Sequence, residues 1–483
     1  MSDFLPDRAS TGVRGLDRVL YGGLVPGRSY LVRGAPGTGK TLLGFHFLTD
    51  GAPDDESTLY INLEEPEADI RQNAASLGVD LADVRFLDLS PTSDFFAERQ
   101  GYDVFESGDV ETEPMAERIV ERVEDLDPDR VFVDPVTQFR YLASDEYQFR
   151  KQVVSFMRFL KERETTVLFT SQRSSATPDD DLQFLADGVV ELAREGHGRT
   201  VAVPKFRGSD RQGGTHALTI TDAGVSVYPK LRPGEHGADF DSDAITSGVD
   251  GLDEMLGGGI ERGTITVLSG PTGAGKTTAG TLFLAAAARR GERAAVFHFE
   301  ETADTFRHRS AALGIPVTDL EADGTLSVQE VEPLALSAEE FADRVRRQVE
   351  AENARVVMID GISGYKLSLR ESAEALVRKL HALGRYLKSM GVTVILVDEI
   401  DAVTGEFRAT DTGISYLADN VVFLRHVEMN GELRKVIGVL KKRVSTFEST
   451  LREFRMEDGE IAVGEPLTGL QGVLSGTPEI TDE

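Results

Sequence analysis

One eight-residue pattern, G-x-x-x-x-G-K-T, occurs twice in this chain of 483 residues. The copies are GAPGTGKT, from Gly34 to Thr41, and GPTGAGKT, from Gly270 to Thr277, with lysines 276 − 40 = 236 residues apart. Each copy follows a β-branched apolar run and precedes a helix-forming stretch. In that setting such a loop wraps backbone N–H groups around phosphate. A chain carrying two such loops is two nucleotide-binding units in tandem.

The repeat reaches beyond the loops. Thr11-Gly12-Val13-Arg14-Gly15-Leu16-Asp17 returns as Ser247-Gly248-Val249-Asp250-Gly251-Leu252-Asp253 at the same offset of 236. The doublet Glu64-Glu65 returns as Glu300-Glu301, and Lys205-Phe206-Arg207 as Lys441-Lys442-Arg443, again at 236. A period this long is a duplicated domain and not a solenoid unit. The register slips only in the middle: Asp134 and Asp360 are 226 apart, Asp187 and Asp419 232 apart. The first copy therefore carries extra residues around 95–114, and the second regains some within 404–415. We place the first domain at 1–235, the second at 236–463, and a flexible tail at 464–483, with a Gly- and Pro-rich linker near 233–242.

Apolar runs at 29–33, 58–63, 130–134 and 166–171 in the first copy match 264–269, 294–299, 355–360 and 393–398 in the second. Helix-length segments such as 373–390 separate them. The expected fold is α/β: two domains, each a mostly parallel sheet flanked by helices.

The chemistry follows from position. Gly34, Gly37, Thr38 and Gly39, with Gly270, Gly273, Ala274 and Gly275, shape the phosphate cradles. Lys40 and Lys276 are expected to reach the β- and γ-phosphates of ATP. Thr41 and Thr277 would ligate Mg2+, and Leu42 and Thr278 complete each nucleotide contact. Asp134 and Asp360 end apolar strands beside these loops and are candidate Mg2+ holders. Glu64, Glu65, Glu300 and Glu301 are candidate catalytic bases, the first of each doublet preferred. Lys205, Arg207, Lys441 and Arg443 alternate on extended chain. With no evident acidic partner in their own domain, they are expected to contact ATP held by a neighbouring subunit.

Composition narrows the function. Asp plus Glu number 82 against 52 for Lys plus Arg, a formal charge of −30. Such a balance opposes binding to nucleic acid or an anionic membrane, and reads as salt adaptation of the haloarchaeal kind. Cysteine is absent, which excludes disulfides and thiolate metal sites. No apolar run is long enough for a membrane span and no signal peptide is evident, so a cytoplasmic protein is expected.

Together the S-T-G-V-x-G-L-D segment, the phosphate loop, the Glu doublet, the strand-end Asp and K-x-R resemble the KaiC family of RecA-like ATPases. The resemblance covers nearly the whole chain, including a family-like tail at Leu474-Ser475-Gly476-Thr477-Pro478. It implies a homohexameric double ring, ATP hydrolysis between subunits, and Ser/Thr autophosphorylation in the second domain. It also implies a regulatory partner at the tail. The acceptor pair of the family falls on Ser415-Tyr416, so serine is kept and threonine is not; Thr410 and Thr412 lie close by. Two other readings stand beside this one. A recombinase-like DNA-dependent ATPase shares the core, but Asp179-Asp180-Asp181 and Asp398-Glu399 fall where DNA-binding loops would be. An ATP-dependent scaffold would bind nucleotide and barely turn it over.

Overall fold

The computed structural model describes residues 8–51, 56–93, 109–172, 179–195, 198–232, 243–333, 335–369, 373–400, 414–429, 431–457, 459–468, 470–473 and 479–480. The chain divides into two compact units between Lys230 and Leu231.

The first unit is built on nine strands: β1 (Ser29–Gly34), β2 (Thr58–Asn62), β3 (Arg85–Asp88), β4 (Arg130–Asp134), β5 (Thr166–Gln172), β6 (Gly188–Glu195), β7 (Gly198–Phe206), β8 (Thr215–Thr221) and β9 (Gly224–Tyr228). Their order is β3-β2-β4-β5-β1-β6-β7-β8-β9. The first six are mutually parallel, and β7 to β9 extend the sheet antiparallel. Strand alternation splits the core in two. Tyr30, Val32, Tyr60 and Phe132 pack under the helix Lys40–Gly51 with its Phe45, Phe47 and Leu48. Leu31, Ile61, Val131 and Val133 face the other way, against Met115, Ile119 and Val123 of the helix Asp109–Leu126 and Phe149, Val153 and Met157 of Glu146–Lys161. Each fully buried side chain of this size contributes about 1.5–3 kcal/mol, which sets both helices firmly on the sheet.

The second unit opens with a two-stranded ribbon, β10 (Ala244–Ile245) and β11 (Ile260–Glu261). It then repeats the plan with β12 (Ile265–Gly270), β13 (Ala294–His298), β14 (Leu326–Glu330), β15 (Val356–Asp360), β16 (Thr393–Glu399), β17 (Asn420–Met429), β18 (Glu432–Lys442), β19 (Arg452–Glu457) and β20 (Glu460–Pro466), in the same order. The helix Lys276–Arg289 covers one face over Leu268, Val296 and Met358. Helices Ala338–Glu350 and Ala373–Ser389 cover the other, over Val267, Phe297 and Ile359.

The repeated G-V-x-G-L-D segment is structural. A side chain on Gly15 would stand 1.8 Å from the Val227 carbonyl oxygen, and one on Gly251 2.6 Å from that of Val463, so glycine lets this short helix touch the last strand. Asp17 accepts from the Thr11 amide at 2.8 Å, and Asp253 from the Ser247 amide at 2.7 Å, tying off the preceding turn. At the far end β20 runs past residue 464 to Pro466, and buried Val473 packs with Val427 and Val436. Ordered structure thus continues beyond the point where the sequence pattern fades. The sequence insertions at 95–114 and 404–415 fall largely outside the described residues, as do Thr410 and Thr412.

Candidate nucleotide site

The sheet order places four carboxyl ends side by side, where ligands of open α/β sheets bind. Gly34 sits beside Gln172, and Asn62 beside Asp134. In the second domain Gly270 sits beside Glu399, and His298 beside Asp360. In each loop two glycines take left-handed conformations, Gly37 (φ 73°) and Gly39 (φ 104°), then Gly273 (73°) and Gly275 (103°). Any side chain at Gly39 would also strike Ile220 at 2.7 Å. The loops therefore share one backbone shape, with N–H groups and a helix start aimed at one point.

Lys40 Nζ donates to the carbonyls of Gly34 at 3.0 Å and Ala35 at 3.2 Å; Lys276 Nζ donates to that of Pro271 at 2.8 Å. Burial pushes both amines below their usual range, while Asp134 and Glu64 beside Lys40, and Glu399, Asp360 and Glu300 beside Lys276, pull the other way. Two buried ammonium groups wrapped by glycine loops suit a polyanion. Thr38 is tied into its loop by a bond to the Ala35 carbonyl at 2.8 Å. Thr41 Oγ1 donates to Asp134 Oδ2 at 2.6 Å, and Thr277 Oγ1 to Asp360 Oδ1 at 3.1 Å. The hydroxyl–carboxylate pair expected to face a metal is assembled in both domains.

The glutamate doublets lie just past β2 and β13, not on them. Glu64 accepts from Gln172 Nε2 at 2.7 Å, and Glu65 from Asn73 at 3.3 Å. Burial, then Asp134 and Glu65, raise the Glu64 carboxyl above its ordinary range. Glu300 is raised by burial and by Glu399 and Asp360, and lies against Gly361. Glu301 turns aside to an ion pair with Arg309 at 2.9 Å, which separates the two members of its doublet. The second-domain site is a cleft of about 630 Å3 lined by Lys276, Thr277, Glu300, Asp360, Arg309 and Glu399 among others.

The strand ends bring in residues that sequence reasoning missed. Tyr60 donates to Asp134 Oδ2 at 3.2 Å, and Thr170 to Oδ1. His298 Nδ1 lies 3.0 Å from Asp360 Oδ2. Gln172 and Glu399 occupy matching ends of β5 and β16 beside the loop strand. A polar residue closing an otherwise apolar strand was the available signal.

Two expectations are corrected. The basic pairs do have partners in their own domains. Lys205 Nζ donates to the Gln183 carbonyl at 2.6 Å and Arg207 pairs with Asp187 at 3.8 Å. Lys441 Nζ donates to the Ala418 carbonyl at 2.6 Å and Arg443 pairs with Asp419 at 3.6 Å. Their place in the sheet is nonetheless informative. Lys205 is level with Val189 and thus with Leu31, three residues or about 10 Å behind Gly34. Lys441, level with Val421 and Val267, lies equally far behind Gly270. Both pairs stand at the end of the sheet opposite their own loop.

The acidic runs differ from expectation in part, since Asp180 and Asp181 stay at the surface, with side chains 74% and 43% exposed. Asp179 is buried, bound to Arg33 at 2.8 Å and to the Ser171 hydroxyl, and Asp398 is wholly buried. These two carboxylates are internal, so they do not repel anything at the surface. Removing either partner of the Arg33–Asp179 pair would strand a buried charge, at a cost of about 3–5 kcal/mol. Ser415 belongs to the short turn Ile414–Tyr416, whose Tyr416 carbonyl accepts from Arg443 at 3.3 Å. Among the described residues, no helix is long and apolar enough to cross a membrane.

The comparisons agree with this architecture. The family model for the KaiC ATPase matches residues 9–232 and again 245–468. The circadian clock oscillator protein KaiC of Parathermosynechococcus lividus is 28% identical over 486 residues, covering 98% of this chain and 88% of that protein. The same-named proteins of Synechococcus elongatus and Prochlorococcus marinus (strain MIT 9313) are each 28% identical, over 97% and 98% of this chain and 91% and 96% of their own lengths. Two sheets of RecA-like α/β type, two matching phosphate loops and a family match across both halves lead to one conclusion: the chain belongs to the KaiC ATPase family.

Proposed function

We propose that the chain hydrolyses ATP at two sites, one per domain, each completed by a neighbouring subunit in a homohexameric ring. The observation that carries the reading is the assembly, in both domains, of loop lysine, Thr–Asp pair and raised glutamate along one carboxyl edge of the sheet. Lys40 and Lys276 bind the phosphates, and the loop amides orient them. Thr41 with Asp134, and Thr277 with Asp360, would hold Mg2+, which when bound neutralises the β- and γ-phosphate oxygens. Glu64 and Glu300 take the proton from a water whose oxygen bonds to the γ-phosphorus, as the bond to the β–γ bridging oxygen breaks and ADP leaves. Their raised carboxyls suit them to accept that proton. Lys205, Arg207, Lys441 and Arg443, at the end of the sheet opposite their own loops, would meet the next subunit's nucleotide.

A second activity, autophosphorylation in the second domain, is proposed from the family's acceptor position at Ser415. The Ser415 turn is held by Arg443 on the edge away from its own phosphate loop. A phosphoryl group reaching the Ser415 hydroxyl would therefore come from the adjacent subunit's ATP, with Glu300 there as base. Thr412, outside the described residues, is the alternate acceptor. Regulation through the tail and salt adaptation belong to the same proposal.

One time course tests both activities: ADP release and intact mass, in molar KCl with Mg-ATP, for wild type and Ser415→Ala. ADP release by both proteins, with a phosphate increment only in wild type, is expected. ADP release with no increment would remove the autokinase. Turnover that rises strongly only on adding single-stranded DNA would favour the recombinase-like alternative.

A further inference from the structure

Among the differences between the two sites, one stands directly beside the proposed magnesium carboxylate. Asn62 in the first domain corresponds to His298 in the second, 298 − 62 = 236 residues on. Asn62 is spent on structure, donating to the Glu65 carbonyl at 2.8 Å and to Asp88 at 2.9 Å. Asp134 beside it is taken up by the hydroxyls of Thr41, Tyr60 and Thr170. In the second domain Asp360 is less engaged. Its Oδ1 accepts from Thr277, and its Oδ2 faces the imidazole of His298 at 3.0 Å. The His298 side chain is fully buried, and its Nε2 has no hydrogen-bond partner among the described residues. Ligand atoms of His298, Glu301 and Asp360 all lie within 4.8 Å of one another.

We propose that His298, Glu301 and Asp360 form a second divalent-cation site, present only in the second domain, which takes Mn2+ or a similar transition ion in preference to Mg2+. Asp360 would serve two ions, one oxygen toward the nucleotide's metal and the other toward this one. The inference rests on the nucleotide reading for that first ion alone. Two ligands set cis on an octahedral ion, each about 2.1 Å from it, are about 3.0 Å apart. That is the separation of His298 Nδ1 and Asp360 Oδ2. Imidazole favours transition ions, whereas Mg2+ prefers oxygen and keeps its waters. Ligation through Nδ1 puts the ring proton on Nε2, an atom with no bond to lose among the described residues. The competitor is Arg309, paired with Glu301 at 2.9 Å and 40% exposed, so it can swing out to water.

The test uses full-length protein stripped of nucleotide and metal, in molar KCl with excess Mg2+ to fill surface carboxylates. Free Mn2+ is read by its paramagnetic resonance, and nitrogen coupling to the bound ion by pulsed measurement. The wild type is expected to hold one Mn2+ per chain with imidazole nitrogen coupling. His298→Asn, which installs the first domain's residue, should lose the coupling and weaken binding roughly tenfold or more. Arg309→Gln should bind more tightly than wild type, and gives an answer even if the histidine variant fails to fold. Unchanged Mn2+ binding in His298→Asn, absent nitrogen coupling in wild type, or no tightening in Arg309→Gln would each overturn the site. Mg-ATP binding is measured separately on the same samples. Its loss in wild type would sink the nucleotide reading without altering the Mn2+ count.

Discussion

Glu399 and Gln172 show how one residue tunes a duplicated site. Gln172 donates a hydrogen bond to Glu64 and stabilises its charge, whereas Glu399 adds a negative charge beside Glu300. Burial raises Glu300 first, and Glu399 and Asp360 raise it further above its ordinary value of 4.5. A base works only when ionised, so second-domain turnover should fall as pH drops through a value above 4.5. In a Lys40→Ala background, which silences the first site, Glu399→Gln should move that acid limb to lower pH. An unmoved limb in the pH–rate profile would remove Glu300 as the titrating base. The linked stability runs the opposite way with pH. A raised folded-state value makes the contribution of Glu300 fullest below 4.5 and lost as pH rises through the raised value.

At the scale of elements, the parallel strands were legible because they are buried on both faces and read as continuous apolar runs. The runs at 130–134 and 393–398 correspond to Arg130–Asp134 and Thr393–Glu399. The antiparallel extension was not legible. In β8, His216 and Leu218 are buried while Thr215, Ala217 and Thr219 are half-buried, an alternation too mixed to stand out. The phosphate loops could be read because backbone shape demands glycine there. His298 and Gln172 offered only a polar strand end as a signal, since their roles depend on strands brought together from distant sequence. The edge carrying Lys205 and Arg207 in the first domain, and Lys441 and Arg443 in the second, yields its own expectation. Mg-ATP is expected to raise the sedimentation of the wild type through ring assembly, and joint replacement of either pair by alanine should abolish that rise. Both pairs anchor within their own domains, so thermal melting of the variants separates lost assembly from lost fold. Well-folded variants that still assemble would leave these pairs a purely internal role.

For the whole molecule, the charge of −30 is the dominant property. Self-repulsion of that size destabilises the compact state at low ionic strength and is screened by salt, with a Debye length of about 3 Å at 1 M. The melting temperature should rise steadily between dilute buffer and molar KCl; a midpoint independent of salt would contradict salt adaptation. Duplication gives the molecule two sites of one design and two settings. The first is rich in hydroxyl and amide groups around Asp134, the second in carboxylates and a histidine around Asp360. The most direct check that both are ATP-hydrolysing sites is steady-state ADP release by wild type, Glu64→Gln, Glu300→Gln and the double variant in molar KCl. Each single variant should retain the other site's turnover, and the double variant should lose about 100-fold or more, as expected for removing a general base. A double variant turning over at the wild-type rate would contradict the account and leave these carboxylates outside catalysis.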